Sequence, residues 1–271
     1  MPLIPATIIA VMLFFAAFAP VVAPSPPNKG SLKEALRPPA WSQGGSWRYP
    51  LGTDYAGRDI LSRVIYGARV SLSLAALSIP MGVLLGVSLG VVAGYFGGWA
   101  DIFIMRLVDA ALSMPGILLA MVLAGVFGAS FLNLVIIIAM VSWPGYARIS
   151  RGETLSVRER DFVGLARVAG CSTPHILVRH ILPNIINSIV VLATLMVGSV
   201  ILLEAALSFL GIGIRPPTPT WGGMLNEARG YITKAWWLAV FPGAAIAVTV
   251  LSINLFGDWL RDRLDPKLRQ V

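Results

Sequence analysis

The stretch RERDFVGLARVAGCSTPHILVRHILPN, residues 158–184, is polar and mostly basic, yet it stands between two long apolar runs. Ser156, followed three residues later by Glu159, has the form of a capping box, which predicts the start of a helix. Gly170 is placed to end this helix, and the Thr-Pro pair at 173–174 predicts the N-cap and first residue of a second one. We therefore expect a helix, a turn and a second helix between two membrane-length segments.

The second of these helices contains a proline and both histidines of the chain. Pro183 removes a backbone amide and is expected to end or kink the helix. His175 and His180 are five residues apart, which is about 140° around an α-helix, so we expect them on different faces. The one cysteine, Cys171, cannot form an intramolecular disulfide. No metal site is predicted from these residues.

The apolar runs on either side place the chain in a membrane. Of its 271 residues, 56% are hydrophobic and 13% are charged, which is far too apolar for a soluble domain. Runs of about 20 apolar residues, long enough to cross the hydrocarbon core, recur along the chain. We predict an all-α, polytopic membrane protein with about six transmembrane helices, at residues 3–23, 71–94, 102–127, 131–148, 185–210 and 236–257.

The formal net charge of +8 would suggest nucleic acid in a soluble protein. Here the charges fall in loops, so topology and contact with lipid headgroups explain them better, and no nucleic-acid partner is expected. The Lys and Arg residues divide equally between the two sides of the predicted membrane. Their count therefore does not orient the chain.

The N-terminal part consists of one apolar run and a proline-rich segment. The run is predicted to be a retained first span, although small residues at 19–23 are also compatible with a signal peptide. The segment that follows is predicted to be mostly loop, with a short amphipathic helix over residues 58–69, and to be too short for a core of its own. We treat residues 1–70 as the first transmembrane helix plus this segment.

The second predicted span carries small residues at a strict interval of four: Ser78, Gly82, Gly86, Gly90 and Gly94. Small residues at this spacing allow two helix backbones to approach closely in lipid. We predict that another helix packs against this face.

Three ionisable residues are candidates for a function inside the membrane. Arg106 and Asp109 are three residues apart on one helix face and are expected to pair at the membrane boundary. Glu204 lies deeper, near the end of the fifth predicted span, and has no evident partner in the sequence. An ionisable group at such a position is a candidate for contact with substrate.

The stretch 158–184 resembles the EAA loop of importer-type ABC transporter permeases. That pattern reads Glu-Ala-Ala, three residues, Gly, nine residues, Ile, one residue, Leu-Pro. Four residues fall at matching positions: Ala166, Gly170, Leu182 and Pro183. Three depart from the pattern: Gly164 for the glutamate, Leu165 for the first alanine and His180 for the isoleucine. The missing glutamate weakens the case for a specific salt bridge there.

Four other segments look like the second permease subunit of the dipeptide/oligopeptide/nickel import family: 51–72, 180–184, 207–225 and 254–269. The resemblance implies an ABC importer permease fold, with residues 71–271 as the core of about five transmembrane helices and a cytoplasmic EAA loop at 151–184. It also implies a multi-pass protein of the bacterial or archaeal cytoplasmic membrane, with both termini in the cytoplasm.

No phosphate-binding motif of the form G-x-x-x-x-G-K-[ST] occurs, so the chain is not itself a P-loop ATPase. The resemblance implies a transport subunit without a cofactor of its own, with ATP and Mg bound by partner subunits. These partners would be a second homologous permease, two cytoplasmic ABC ATPases and an extracytoplasmic substrate-binding protein. The residues that it implies for coupling to the ATPase are Arg160, Asp161, Ala166, Gly170, Leu182 and Pro183.

The resemblance favours short peptides as the substrate, and import of nickel or another small solute is the alternative. A membrane receptor or scaffold without transport would also use a capped loop of this kind. An intramembrane enzyme is disfavoured, because the predicted spans hold no histidine and show no nucleophile with a base nearby.

Overall fold

The computed structural model describes residues 2–264, and its regular structure is helical. The α-helices, in chain order, are α1 (Leu3–Val22), α2 (Ile60–Phe96), α3 (Gly98–Leu112), α4 (Gly116–Phe127), α5 (Phe131–Arg158), α6 (Asp161–Val168), α7 (Thr173–Ile176), α8 (Leu182–Phe209), α9 (Trp221–Ala228) and α10 (Trp237–Leu264). A π-helical turn, Leu177–Ile181, joins α7 to α8. Within the described range, extended pairing is limited to isolated bridges, such as that between Thr53 and Asp59.

Five described helical segments are long and apolar enough to cross a membrane, and α3 with α4 forms a sixth candidate. The five are α1, α2, α5, the segment Thr173–Phe209 and α10. The predicted all-α fold with about six membrane-spanning helices is therefore confirmed. Of the segment 254–269 that carries part of the family resemblance, the residues up to Leu264 belong to α10, and those from position 265 onward lie outside the described residues.

Helix α2 is longer than the predicted second span. It has 37 residues, which is about 55 Å of helix against about 30 Å of hydrocarbon. The amphipathic helix predicted at residues 58–69 is its first part and not a separate element, because no proline interrupts the chain between Ile60 and Ile79. The helix is thus longer than a single crossing of the hydrocarbon requires.

The predicted third span, residues 102–127, is broken in the structure. Helices α3 and α4 meet at an angle of 89°. Pro115 lies at the break, where it lacks an amide donor and disfavours helical geometry in the preceding residue. The apolar composition of residues 102–127 indicated one continuous span, but the chain changes direction at Pro115.

Backbone contacts divide the chain into two compact units. The first contains residues up to Leu77 together with Met121–Val135 and Val197–Phe256. The segment between α1 and α2 shares a core with later helices, since Leu36 and Leu51 pack on a buried cluster that includes Ile60, Met224 and Trp237. The segment has no core of its own in this arrangement, as its length predicted.

The second unit contains Ser78–Ala120, Ile136–Met196 and the chain from Gly257. In it the glycine stripe of α2 packs directly against α5. A Cβ atom added to Gly86 would lie 2.4 Å from the Trp143 carbonyl oxygen, and one on Gly90 would lie 2.3 Å from the Ala147 carbonyl oxygen. These distances are shorter than any real contact, so only glycine permits this approach of the two backbones.

Candidate functional site

Helix α6, between α5 and α8, has two chemically different faces. Val163 and Ala166 are buried in a cluster that includes Val91 of α2 and Ile181. On the other face Leu165 and Val168 are largely exposed. Burial of one face fixes the helix to the second unit and leaves two apolar side chains presented outward.

The start of α6 differs from the predicted one. Ser156 and Glu159 do not form a capping box, because α5 continues through Ser156 to Arg158. Val157 is buried, so packing of the α5 face outweighs the local capping signal. Arg160 takes the N-cap position of α6 in extended geometry, and Asp161 places a negative charge in the first turn.

The end of α6 is the one predicted. The amide of Gly170 donates to the Arg167 carbonyl at 3.0 Å, and that of Cys171 donates to the Ala166 carbonyl at 3.1 Å. Gly170 has a φ of +78°. This pair of hydrogen bonds around a left-handed residue is the Schellman motif, which favours glycine.

The second short helix begins with Ser172 at the N-cap, one residue before the predicted Thr173. Pro183 does not end the helix that follows, since Thr173–Phe209 is helical throughout. The turn immediately before the proline is π-helical, with the Leu182 amide donating to the Leu177 carbonyl five residues earlier. This wider turn accommodates the missing amide of Pro183.

The same turn corrects the expectation for the histidines. The ring centroids of His175 and His180 are only 5.8 Å apart, and Phe162 lies 6.2 Å from His180. Side chains five residues apart approach each other because a π-helical turn contains more residues than an α-helical one. In residues 2–264, no group of three or more His, Cys, Asp or Glu side chains is placed to hold a metal.

The outward surface of α6 forms a shallow groove of about 470 Å³. Its lining combines apolar and charged side chains: Arg158, Glu159, Arg160, Asp161, Gly164, Leu165, Arg167 and Val168. The Arg167 guanidinium lies 5.3 Å from the centre of the Tyr95 ring, and Arg158 donates to the Gly94 and Tyr95 carbonyls at the end of α2. Exposed apolar groups rimmed by charges are typical of a protein-binding surface.

Charged side chains tie α5 to α3 in the same unit. Arg151 pairs with Asp101 through two hydrogen bonds, one of them at 2.6 Å. The sequence spacing predicted a pair between Asp109 and Arg106. In the structure Asp109 pairs instead with Arg148, at 2.8 Å. The partner on another helix was not visible in the sequence, because it lies 39 residues away.

Glu204 of α8 is fully buried in the first unit. Its carboxylate accepts hydrogen bonds from Ser71 of α2 at 3.0 Å and from Ser208 at 2.7 Å, and the side chain of Thr220 contributes another. Ser208 is four residues after Glu204, a spacing that the sequence could have revealed. Hydroxyl groups therefore compensate much of the cost of burying this carboxylate.

Sequence reasoning missed a group of four charged residues in the first unit: Asp54, Arg58, Arg63 and Glu227. Arg63 donates to Asp54 at 2.8 Å and to Glu227 at 3.0 Å, and Arg58 contacts both carboxylates as well. Burial alone would lower the pKa of Arg58, but Asp54 and Glu227 outweigh it and raise this pKa. We call this group the ion-pair cluster.

Asp59, next to the cluster, accepts hydrogen bonds from the amide and the hydroxyl of Ser62 in the first turn of α2. Burial raises the pKa of Asp59, while these hydrogen bonds act in the opposite direction. The carboxylate thus caps the N-terminus of α2.

Comparison with known proteins agrees with this architecture. Residues 86–270 match the family described as the binding-protein-dependent transport system inner membrane component. The chain is 46% identical over 260 residues to the di/tripeptide transport system permease protein DppC of Pseudomonas aeruginosa, covering 96% of this chain and 86% of that protein. It is 46% identical over 262 residues to the dipeptide transport system permease protein DppC of Escherichia coli K12, covering 97% and 87%.

A third relative is the glutathione transport system permease protein GsiD of Pectobacterium atrosepticum, which is 46% identical over 228 residues and covers 84% of this chain and 76% of that protein. Among solved structures, an inward-facing MetNI methionine ABC transporter matches with a TM-score of 0.64 at 16% identity, covering 76% of this chain and 98% of the other. At that identity the likeness concerns the fold alone. The chain belongs to the binding-protein-dependent transport family and is a multi-pass inner-membrane permease of the dipeptide/oligopeptide/nickel import group of ABC importers.

Proposed function

We propose that the chain is the permease subunit through which an ATP-driven importer moves short peptides across the cytoplasmic membrane. The observation that carries the substrate class is the identity of 42–46%, over nearly the whole chain, to permeases named for dipeptide or di/tripeptide transport. The chain would itself perform no chemistry, and ATP with its Mg ion would be hydrolysed on partner subunits.

The exposed face of α6 is the proposed contact with one ATPase. Leu165 and Val168 would enter a groove on that subunit, and Arg160 and Asp161 would lie at the rim. The helix is fixed at its C-terminal end by the turn at Gly170 and on its buried face by Val163. A push on α6 would therefore reach α5 and α8 without being absorbed by a flexible loop.

Coupling then follows from the preference of ATP for one arrangement of the ATPases. ATP binds better to the closed ATPase pair, and closure would move the two α6 docking sites of a permease pair. The permease helices would respond by changing which side of the membrane is accessible. Leu182 and Pro183 would transmit the movement, since they lie where the π-helical turn passes into α8.

The remaining assembly follows from the same proposal. A second homologous permease would complete the pathway, two ATPases would bind from the cytoplasm and an external binding protein would deliver the substrate. Both termini and the loop at 151–184 would then be cytoplasmic, in a bacterial or archaeal membrane. Residues 1–70 would supply the first span and an extracytoplasmic segment, and residues 71–271 the permease core.

The test is the ATPase activity of the complex purified through this chain and reconstituted with its binding protein. A panel of di- to hexapeptides and nickel would be added one at a time. We expect di- and tripeptides to stimulate hydrolysis and nickel to leave it unchanged. Stimulation by nickel alone would overturn the substrate class, and absence of any copurified ATPase would overturn the transport role.

A further inference from the structure

The segment between α1 and α2 contains a loop that the transport proposal does not use. Residues 39–50, PAWSQGGSWRYP, hold three aromatic residues and one charge, Arg48, without any carboxylate. Trp47 is 80% exposed and Trp41 is 61% exposed. We call residues 39–50 the aromatic loop. Tryptophans this exposed leave a large apolar area without a protein partner among residues 2–264.

The aromatic loop is closed and compact. The Ala40 amide donates to the Pro50 carbonyl at 3.1 Å, which joins its two ends. Gly45 comes so close to Pro39 that a Cβ atom would lie 2.1 Å from the Pro39 carbonyl oxygen. The loop therefore presents its tryptophans on a fixed turn and not on a loose tail.

Contacts place the aromatic loop beside the first turns of α10, within the first unit. The ring of Trp41 meets that of Phe241 edge-on, with 6.1 Å between centroids. Phe241 also contacts Trp236, which is 45% exposed. Just after the loop, the Thr53 carbonyl accepts a hydrogen bond from the Trp237 indole at 3.1 Å.

Helix α10 is long and apolar enough to cross the membrane, and it keeps an exposed apolar face. That face runs through Val240, Val248, Leu251 and Leu255. The aromatic loop and Trp236 continue this face at the end where the helix begins. Trp41 and Trp236 thus lie at the start of a helix long and apolar enough to span the membrane, and Trp47 belongs to the same closed loop as Trp41.

Lipid headgroups fit this position better than a protein does. Tryptophan and tyrosine prefer the membrane interface, because their rings are apolar and their N–H or O–H groups remain hydrated. Arg48 has no carboxylate within the loop to pair with, and a guanidinium binds lipid phosphate well. An exposed apolar helix face, aromatic side chains at the start of that helix and a nearby positive charge are together the combination that the membrane interface favours.

We propose that the aromatic loop, with Trp236, is seated in the lipid headgroup layer at the end of the membrane where α10 begins. Trp41 and Trp47 are the anchors, and Arg48 contacts lipid phosphate. The anchor holds the segment between α1 and α2 against the bilayer surface. This inference requires only that α10 spans the membrane and is independent of the transported substrate.

The test is photo-crosslinking in the assembled complex, reconstituted in vesicles of phosphatidylethanolamine and phosphatidylglycerol. The probe is Trp47→p-benzoylphenylalanine, and the matched control is Lys33→p-benzoylphenylalanine, which is exposed in the same segment but outside the aromatic loop. After illumination, mass spectrometry measures lipid adducts and gel mobility measures links to other subunits. We expect lipid adducts at position 47 in several-fold excess over position 33.

Equal adduct yields at the two positions would overturn the proposal. So would a link from position 47 to the second permease or to the binding protein, because the tryptophans would then form a protein interface.

A second pair of variants tests the same proposal without a photo-crosslinking probe. Trp47→Tyr is expected to keep the thermal midpoint of the complex in vesicles, and Trp47→Ser to lower it in vesicles more than in detergent. Equal losses in vesicles and detergent would contradict lipid anchoring.

Discussion

At the scale of single residues, Gly170 determines how the loop between α5 and α8 is shaped. Its φ of +78° lies in the left-handed region, and its amide takes part in the pair of hydrogen bonds that ends α6. A Cβ atom added there would meet no atom of the described residues within 4 Å, chain neighbours apart. Replacement of Gly170 therefore tests mainly its backbone conformation.

We predict that Gly170→Val uncouples ATP hydrolysis from uptake. A β-branched residue in left-handed geometry costs about 1–2 kcal/mol, which lowers the ratio of the correctly ended loop to its other conformations by about 5–30-fold. The measurement is substrate uptake and ATPase activity in the same vesicles. Uptake should fall, by up to about 30-fold, while hydrolysis persists.

The matched control for this prediction is Gly152→Val in α5. Gly152 has ordinary helical geometry, and an added Cβ there also has no atom of residues 2–264 within 4 Å. The control should retain both activities, because valine is tolerated at least as well as glycine within a helix. Normal uptake by an assembled Gly170→Val complex would show that the loop does not depend on this cap.

At the scale of elements, the sequence predicts the positions of the helices more accurately than it predicts their ends. Each span was visible because some 20 residues contribute to its apolar character. The ends depend on fewer residues and on packing: the burial of Val157 extends α5 past the expected capping box, and Pro115 divides one predicted span in two. The approach of His175 to His180 depends on a π-helical turn that no local pattern indicates.

The contact between α2 and α5 provides the prediction at this scale. Gly86→Leu should reduce recovery of the assembled complex and lower its thermal midpoint, because its Cβ would lie 2.4 Å from a backbone oxygen of α5 and 2.7 Å from the Tyr146 Cβ. Backbone atoms cannot move aside as a flexible side chain does, so the cost should be at least about 1–3 kcal/mol.

Gly125→Leu in α4 is the control for Gly86→Leu. Gly125 is exposed, and an added Cβ there has no atom of the described residues within 4 Å. Complex recovery and melting should stay close to those of the unchanged protein. If both variants lost complex recovery and thermal stability equally, the cause would be a larger side chain in any helix and not the contact between α2 and α5.

At the scale of the whole molecule, the chain brings together charges that are far apart in sequence. Arg63 lies 164 residues before Glu227, yet the two side chains are 3.0 Å apart in the ion-pair cluster. Local patterns predicted the loop at 158–184, where the residues that fix its shape are neighbours. They gave no signal for the ion-pair cluster or for the contact of Glu204 with Ser71, because those partners meet only after the helices have packed.

The ion-pair cluster leads to the last prediction, which concerns Arg63→Met. Arg63 is only 3% exposed and bonds both Asp54 and Glu227. Its removal leaves two mostly buried carboxylates with one arginine, so we expect a loss of about 3–5 kcal/mol in stability. The measurement is the thermal midpoint of the purified complex, together with the free energy of unfolding where unfolding is reversible.

Arg37→Met is the matched control for the loss of stability in Arg63→Met. Arg37 also pairs with a carboxylate, Glu34, but its side chain is 41% exposed, so water replaces the lost partner and the cost should stay below about 1 kcal/mol. Adding Glu227→Gln to Arg63→Met restores the balance of one arginine with one carboxylate, and should therefore recover part of the stability. If the double variant were less stable than Arg63→Met alone, the loss would come from packing of the arginine stem and not from the uncompensated buried charge.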